Sequence, residues 1–367
     1  MELINATGMQ AGYTMGLEPS GRELLVVVVK GTFKIPKDPG KEPTLAKEQV
    51  PLVEADVFTG EPGFSAPLYE SDYAPRKPRC DILLNGSAYA PGGKPAERVP
   101  VSLRVGSWQK SFVVVGNRVW NRGVLLVTPT EPEPFTVMPI SYNNAFGGVD
   151  RSQEDAAKHR WYPSNHAGVG YHEYLDAEFI DGKPLPNTEE VGRKVTDPRG
   201  KYQPMAFGPI GRAWQPRPKW AGTYDQKWLA DVSPFLPADF KEDYYQAAAG
   251  DQQIPFPKGG EEVVLTNLTP TGQTTFRIPN LAMPVLFQRK GSEEHATRGV
   301  IDALVIEPDS NRLLVFWRCS LPLRRNLFEV VAAVVGEMPR GWYRARASGK
   351  TYHKSLREMV EAKRPDF

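Results

Sequence analysis

Runs of apolar and β-branched residues towards both ends of the chain predict β-strands. Residues 24–35 form a β-branched stretch interrupted at Lys30 and Gly31, a pattern typical of a buried strand. Residues 101–105 alternate apolar and polar side chains with the period of two of a half-buried strand. By the same criteria, further strands are predicted at 81–85, 108–115, 118–127, 262–268, 274–278, 285–288, 303–306 and 313–317.

Short polar segments predict the connections between these strands. Gly116 and Asn117 tolerate a positive φ, so a tight hairpin turn is expected between the strands on either side of them. Residues 307–311 combine Pro, Asp, Ser and Asn and indicate a turn. Residues 36–51 are rich in Lys, Pro and Glu and indicate a surface loop, whereas residues 325–337 fit either a strand or a short helix.

The middle of the chain, residues 130–255, follows neither the strand period nor the helix period. Pro, Gly and aromatic residues dominate this region. We expect long ordered loops packed over a sheet, because the aromatic content is too high for a disordered linker. A helical pattern is clear only at residues 351–363, where Leu356, Met359 and Val360 share one face.

The composition narrows the fold class. The chain has 33 Gly and 35 Pro among 367 residues, and proline is excluded from helix interiors and central strands, which argues against a coiled coil or a doubly wound α/β enzyme. We predict a mainly β protein with antiparallel sheets, sandwich- or barrel-like, with long Pro/Gly/aromatic loops and a short C-terminal helix. The expected regions are an N-terminal β region (1–130), a loop-rich aromatic region packed on the sheets (131–255), a C-terminal β region of the same fold (256–338) and a basic tail with a helix (339–367).

The charge and the apolar runs exclude some classes of function. With 45 Lys+Arg and 43 Asp+Glu the net charge is +2, whereas phosphate recognition needs a concentrated cationic surface, so no nucleic-acid partner is expected. Residues 340–367 are nevertheless locally basic. The longest aliphatic run, residues 24–29, is too short to cross a bilayer, and the N-terminus lacks the pattern of a signal peptide. A cytoplasmic protein without membrane insertion is expected.

The two cysteines give little indication of chemistry. Cys80 and Cys319 are far apart in the sequence, which is unlike the short spacings of a secreted disulfide scaffold, and two thiols alone do not make a metal site. We expect buried free thiols in a reducing compartment. One long-range disulfide remains an alternative.

Three of the five histidines, His159, His166 and His172, fall close together in the sequence. A zincin helix needs a second histidine four positions after the first, but that position after His172 is Asp176. We therefore predict no metal, no other cofactor and no catalytic residue. The alternative is a β-rich hydrolase or carbohydrate-active enzyme that uses this histidine loop with Glu173 or Asp176.

Short phrases of sequence spread over the chain carry a resemblance. In chain order they are VVVKGTF (27–33), AD (55–56), YESDYAPRKP (69–78), GSAYAPGG (86–93), MPI (138–140), AFGG (145–148), LPN (185–187), FGPI (207–210), AGTYD (221–225), LPADF (236–240) and AAAGDQ (247–252). In this order they resemble a bacterial family, classed as a domain of unknown function, that is encoded beside the spike and PAAR-repeat tip genes of type VI secretion clusters. The resemblance covers roughly residues 1–320.

The resemblance implies an accessory role without catalysis. The expected function is that of an adaptor or chaperone that binds a toxic effector and helps to load it onto the spike or tip complex. The implied partners are therefore a type VI effector protein and a spike or PAAR-repeat tip protein. The family has no agreed catalytic residues that could be carried over to this chain.

Two segments are candidates for the partner surface. Residues 71–78 form a proline-stiffened polar loop, and residues 202–225 combine aromatic rings with cations, the side chains that dominate binding hot spots. The candidate contacts are Asp72, Arg76, Lys77, Tyr202, Trp214, Arg217, Lys219, Trp220 and Tyr224. We expect Arg217 and Lys219 to face water, and Arg212 and Arg217 to offer bidentate contacts to acidic groups of a partner. The alternative is that the rings pack inward and serve the scaffold.

Overall fold

A computed structural model describes residues 1–123, 126–291, 293–353 and 355–361. Its strands are β1 (Glu2–Asn5), β2 (Gln10–Leu17), β3 (Glu23–Lys34), β4 (Thr44–Leu45), β5 (Val57–Phe58), β6 (Pro67–Tyr69), β7 (Cys80–Leu84), β8 (Gly86–Tyr89), β9 (Arg98–Val105), β10 (Trp108–Val115), β11 (Trp120–Arg122), β12 (Val127–Pro129), β13 (Val137–Ile140), β14 (Phe146–Gly147), β15 (Val149–Asp150), β16 (Arg160–Trp161), β17 (Val169–Gly170), β18 (Thr188–Glu189), β19 (Gln253–Ile254), β20 (Glu262–Thr266), β21 (Gln273–Arg277), β22 (Met283–Arg289), β23 (Glu294–Glu307), β24 (Arg312–Pro322) and β25 (Val330–Val335).

Helical structure is short and scattered. The α-helices are α1 (Ala177–Ile180), α2 (Gln226–Asp231), α3 (Arg340–Ala347) and α4 (Leu356–Glu361). The 3-10 turns are Pro91–Gly93, Tyr142–Asn144, Ala156–Lys158, Arg217–Trp220, Glu242–Tyr245, Gly250–Gln252, Pro308–Ser310 and Leu327–Glu329. The structure is 37% strand and 14% helix, which confirms the mainly β prediction.

The larger sheet combines strands from both ends of the chain. The main path of this sheet has the order β1-β25-β22-β23-β24-β3-β2, and every neighbouring pair along that path is antiparallel except β1 with β25. The long strand β23 pairs with β22 along its first half and, in parallel, with β7 along its second half. Because β1 and β2 stand at opposite ends of this order but are joined by the short turn 6–9, the sheet curves in the manner of a barrel.

The main core lies between the larger sheet and a second, five-stranded sheet of order β18-β10-β9-β20-β21. Every second residue of the long strands points into it, as period-two alternation requires. The contributors from β9 are Val99, Val101, Leu103 and Val105, and those from β3 are Leu25, Val27, Val29 and Phe33.

β3 is buried on both faces, as its β-branched run predicts. On the side away from the main core, Val28 joins a second apolar cluster with Leu314 and Phe316 of β24. This outer face of the sheet is covered by residues 46–79, which we call the strap, and by the segment 246–248. The strap therefore shields the polar side chains on the outer face of these strands, such as Lys30 and Arg318, from water.

The predicted hairpin at Gly116 and Asn117 is wrong. β10 pairs with β9 on one side and with β18 on the other, whereas β11 pairs with β12 in a separate two-stranded sheet. The N–H of Gly116 donates to the carbonyl of Glu97 (2.9 Å). Glycine serves close packing here, because a Cβ at Gly116 would lie 1.8 Å from the carbonyl oxygen of Glu133.

The remaining sequence predictions fare better. The other predicted strands correspond to β3, β7, β9, β10, β20, β21, β22, β23 and β24. Asn311 closes the predicted turn with a left-handed φ of 50°, and β25 resolves the choice at residues 325–337 in favour of a strand. Phe146 and Tyr202 of the middle region pack with Trp120 of β11 into a third apolar cluster, so the aromatic loops are ordered by packing.

The C-terminal helix prediction is confirmed by α4, although Lys354 and residues 362–363 of the predicted range lie outside the described residues. Cys80 and Cys319 are free thiols. Burial raises the pKa of both, that of Cys319 to about 12. None of the helices in the described ranges is long and apolar enough to cross a membrane.

Candidate partner-binding surface

Asp72 of the strap faces the sheet and pairs with a buried lysine. Lys30 of β3 lies on the outer face, where its Nζ is 3.0 Å from Asp72 Oδ2 and both side chains are buried. Lys30 also donates to the carbonyl of Pro51 (2.9 Å), and Asp72 accepts from the N–H of Val53 (2.7 Å). Burial raises the pKa of Asp72 against the opposing effect of the Lys30 charge. Asp72 thus binds the strap to β3 and is buried rather than exposed to solvent.

Arg318 of β24 holds the strap at a second point. Its Nε lies 2.5 Å from Asp302 Oδ2 on the neighbouring strand β23, and both groups are buried. Its Nη1 donates to the carbonyls of Asp72 and Ala74, both at 2.8 Å. One guanidinium therefore links two strands of the sheet with the backbone of the strap.

Lys77 is also turned inward. Its Nζ lies 2.7 Å from Asp81 Oδ2. The fully buried Asp81 also accepts from Gln246 Nε2 (2.6 Å) and from the N–H groups of Ala247 (2.9 Å) and Ala248 (3.1 Å). Although burial acts to lower the pKa of Lys77, the carboxylates around it raise that pKa overall. This ion pair joins the strap to the segment 246–248.

Arg76 is the accessible cation of the proline-stiffened loop. Its guanidinium is half-exposed and lies 3.2 Å from Glu242 and 3.5 Å from Glu18. It also donates to the hydroxyl of Ser320 (3.4 Å). A partner could reach Arg76, but its charge is already shared between two carboxylates.

The expectation that Arg217 faces water is wrong. Its side chain is 1% exposed. It donates to the carbonyl of Ile210 (2.9 Å), the carbonyl of Tyr244 (2.8 Å) and Glu70 Oε1 (2.6 Å). The prediction failed because a Pro-rich segment with two cations is typical of a solvent-exposed loop. In the folded chain, Arg217 instead donates hydrogen bonds to backbone carbonyls of other loops.

Arg212 likewise makes its bidentate contact within the chain. Its Nε and Nη2 donate to the two oxygens of Asp56 at 2.9 and 3.1 Å, and Nη2 also lies 2.8 Å from Glu70. Burial acts to lower the pKa of Arg212, but the paired carboxylates raise it. The geometry predicted for a partner is therefore satisfied internally.

Two of the candidate rings pack inward. Trp214 is buried and meets Tyr142 edge-on at a centroid distance of 5.6 Å. Tyr202 is buried in the third apolar cluster, where its hydroxyl accepts from the N–H groups of Thr196 (3.1 Å) and Asp197 (3.2 Å). The scaffold interpretation is confirmed for these two side chains.

Apart from Arg76, the candidates that remain at the surface lie close to one another in sequence. Lys219 is exposed, as expected, with its Nζ 5.0 Å from the centroid of the half-buried Trp220 ring. Tyr224 is 53% exposed. We call residues 219–236 the exposed aromatic segment.

The apolar side chains that extend this surface were not among the residues predicted from the sequence. Leu229 of α2 is 58% exposed and Phe235 is 46% exposed. Trp228 packs edge-on against Tyr224 at 4.7 Å, and Asp225 caps α2 by accepting from the N–H of Trp228 (2.7 Å). An acidic cap residue followed three and four positions later by Trp and Leu is the signal that could have located this helix.

The three clustered histidines occupy different environments. His159 and His166 line a cleft of about 700 Å³ beside the exposed ring of Trp161. His172 is instead buried against Phe179, with ring centroids 6.0 Å apart. Across the residues that the structure describes, no group of three or more His, Cys, Asp or Glu side chains is placed to hold a metal ion.

The carboxylates of the enzyme alternative have local structural contacts. Glu173 accepts from the hydroxyl of Tyr171 (2.7 Å). Asp176 caps α1 by accepting from the N–H groups of Glu178 (3.0 Å) and Phe179 (3.2 Å). These contacts are those of loop and helix-cap residues, and they give the enzyme alternative no support.

The chain belongs to a family conserved in bacteria, because the model of the family described as "Uncharacterized protein conserved in bacteria (DUF2169)" matches residues 20–318. The match contains the strap, the five-stranded sheet and β3 through most of β24. Comparison with curated proteins and comparison with solved structures gave no match. The predicted bacterial family of unknown function is thus confirmed, while its link with type VI secretion stays a prediction.

Proposed function

We propose that this protein is a non-catalytic adaptor or chaperone that binds a type VI effector and helps to load it onto the spike or PAAR-repeat tip protein. The observation that carries the proposal is the exposed aromatic segment, which presents Tyr224, Leu229 and Phe235 to solvent. The sequence phrases that resemble the family encoded beside spike and tip genes supply the biological setting.

The division of charge and apolar surface supports a binding role. The neighbouring cations Arg212 and Arg217 are held by carboxylates of the chain itself, whereas the apolar side chains of Tyr224, Leu229 and Phe235 are exposed. Clustered exposed apolar side chains mark interaction sites, and aromatic rings bury a large area at a small cost in rotamer entropy. We therefore assign effector contact to the exposed aromatic segment rather than to the strap.

The test is a pull-down and titration with the purified effector encoded beside this chain. The triple variant Tyr224→Ala, Leu229→Ala, Phe235→Ala is expected to weaken binding by more than about tenfold, since hot-spot truncations cost roughly 2 kcal/mol or more. Its melting temperature should stay close to that of the wild type, because all three side chains are exposed.

Phe328→Ala is the matched control, because Phe328 is a 77% exposed ring outside the segment. It should bind the effector as the wild type does. Unchanged binding by the triple variant would remove the segment from the interface. Failure of the wild type to bind the effector would contradict the adaptor role itself.

Lys219→Ala tests the candidate cation that lies within the exposed aromatic segment. Because Lys219 is exposed, the substitution should lower the association rate modestly at low salt. This effect should disappear at high salt, where the charge is screened. Stopped-flow association at low and high ionic strength measures it. Arg217→Ala is unsuitable for this purpose, since it would leave the carbonyls of Ile210 and Tyr244 without this donor and would leave Arg212 as the cation that pairs with Glu70.

A further inference from the structure

We propose that the free edge of β2 is a docking site for an extended segment of another polypeptide, which would add a strand to the larger sheet. β2 stands at the end of the strand order, with β3 as its neighbour. Within the described ranges, no strand or loop forms backbone hydrogen bonds along its other edge. Such an edge presents unpaired N–H and C=O groups, and strand addition is a recurring mode of peptide recognition.

The register identifies which backbone groups face this edge. In an antiparallel pair, every second residue of a strand exchanges backbone hydrogen bonds with the neighbouring strand. The N–H and C=O groups of the residues in between point to the opposite edge of that strand. The N–H of Glu18 donates to the carbonyl of Arg22 (2.9 Å), which extends the continuous β2–β3 register and shows that the even-numbered residues bond to β3. The residues whose backbone groups point to the free edge are therefore Ala11, Tyr13, Met15 and Leu17.

The backbone of β3 supports the same alternation. Beyond the end of β2, the N–H and carbonyl of Thr32 both bond to the side chain of Gln49, at 2.8 and 3.1 Å. Thr32 is even-numbered, like the β3 residues that bond to β2. The backbone N–H and C=O groups of the even-numbered β3 residues thus point towards β2 along the whole strand. The contacts at Arg22 and at Thr32, one at each end of the β2–β3 pair, give the same alternation.

β2 lacks the usual protection of an edge strand. Its sequence, QAGYTMGL at residues 10–17, contains no charge and no proline, and its register with β3 has no bulge. Eight residues span about 27 Å. The edges of the five-stranded sheet are different: β18 has two residues, and β21 is covered where the N–H of Gly40 donates to the carbonyl of Thr275 (2.9 Å).

The side chains of β2 define the occupant. One face is closed by the strap, since a Cβ at Gly12 would lie 2.5 Å from the hydroxyl oxygen of Tyr73. The other face presents Tyr13 and Met15, which are 40% and 37% exposed. A strand laid along this edge would place every second side chain beside them, and cross-strand pairs of aromatic and apolar side chains are favourable. The occupant is therefore an extended segment with apolar residues at alternate positions.

The test uses the full chain and a phage-displayed library of random 12-residue peptides. Wild-type protein should select peptides with alternating apolar residues. Met15→Pro removes a free-edge N–H without removing a bond to β3, and proline is tolerated on an edge strand. This variant should weaken the selected peptides by more than tenfold. Met15→Ala keeps the N–H and should weaken them by less than threefold.

Several outcomes would overturn the proposal. The first is that the library yields no peptide with alternating apolar residues, and the second is that Met15→Pro binds the selected peptides as tightly as the wild type does. The third is that Met15→Ala loses as much affinity as Met15→Pro, which would assign binding to the side chain. A dimer of the free chain that Met15→Pro dissociates would put a second copy on the edge instead. If thermal unfolding shows that Met15→Pro is not folded, Tyr13→Lys replaces it, because a lysine on an edge strand blocks pairing. The library contains no effector, so failure of the effector pull-down leaves this test unaffected.

Discussion

At the scale of single residues, Asp81 is the clearest case of a buried charge on which the stability of the fold is expected to depend. Its carboxylate is fully buried and accepts from Lys77, Gln246 and two backbone N–H groups. Asp81→Asn keeps the shape but leaves Lys77 buried without its counter-charge, which typically costs about 3–5 kcal/mol. Urea unfolding should therefore show a lower free energy of unfolding for this variant.

The double variant Asp81→Asn, Lys77→Met is the control for that interpretation. It removes the unpaired ammonium while keeping most of the buried volume, so part of the lost stability should return. If the double variant is as unstable as the sum of its single changes, the cost lies in the backbone contacts of residues 247 and 248 instead.

His172 is expected to make the free energy of unfolding depend on pH. Burial lowers its pKa, against the opposing charge of Asp150, and burial also lowers the pKa of His166. Below the ordinary value of 6.5 the unfolded chain binds protons that the folded chain does not, so the free energy of unfolding should fall as the pH decreases through that value. His172→Gln should flatten this dependence in urea titrations at several pH values, whereas the exposed His295→Gln should not.

At the scale of elements, the connection after β10 depends on one glycine. A Cβ at Gly116 would lie 1.8 Å from a backbone carbonyl oxygen, which cannot move aside as a side chain can. Gly116→Ala should therefore lower stability by several kcal/mol, more than ordinary overpacking, which costs about 1–3 kcal/mol. Gly250→Ala, where nothing lies within 4 Å of the added atom, is the matched control and should unfold like the wild type.

The same elements show what the sequence could and could not predict. β3 was predictable because a β-branched run buried on both faces has a local signature. The packing of the strap against the sheet was not predictable, because its prolines and charged residues are typical of surface loops. Asp72 and Lys77 are turned inward by Lys30 and Asp81, respectively, and these partners come close only in the folded chain. The exposure of Tyr224 and the burial of Arg217 depend on tertiary packing in the same way.

At the scale of the whole molecule, the fold is held together by pairings between distant parts of the chain. β3 pairs with β24 along eleven residues of that strand, β9 pairs with β20, and β1 pairs with β25. Strand propensity fixes none of these pairings, because each strand could pair with any other of similar length. This is why the sequence predicted the fold class but not the strand order.

This topology leads to a prediction about fragments. A chain of residues 1–258 keeps β3 and β9 but loses β20 to β25, so both sheets lose central or neighbouring strands and their apolar faces are exposed. We expect this fragment to unfold without a cooperative transition, as followed by near-ultraviolet circular dichroism. Co-expression with residues 259–367 should restore a cooperative transition, because the missing strands are supplied in trans. Removing only residues 348–367 leaves both sheets intact and should preserve wild-type unfolding, whereas a cooperative transition in the 1–258 fragment alone would mean that the N-terminal strands form a core of their own.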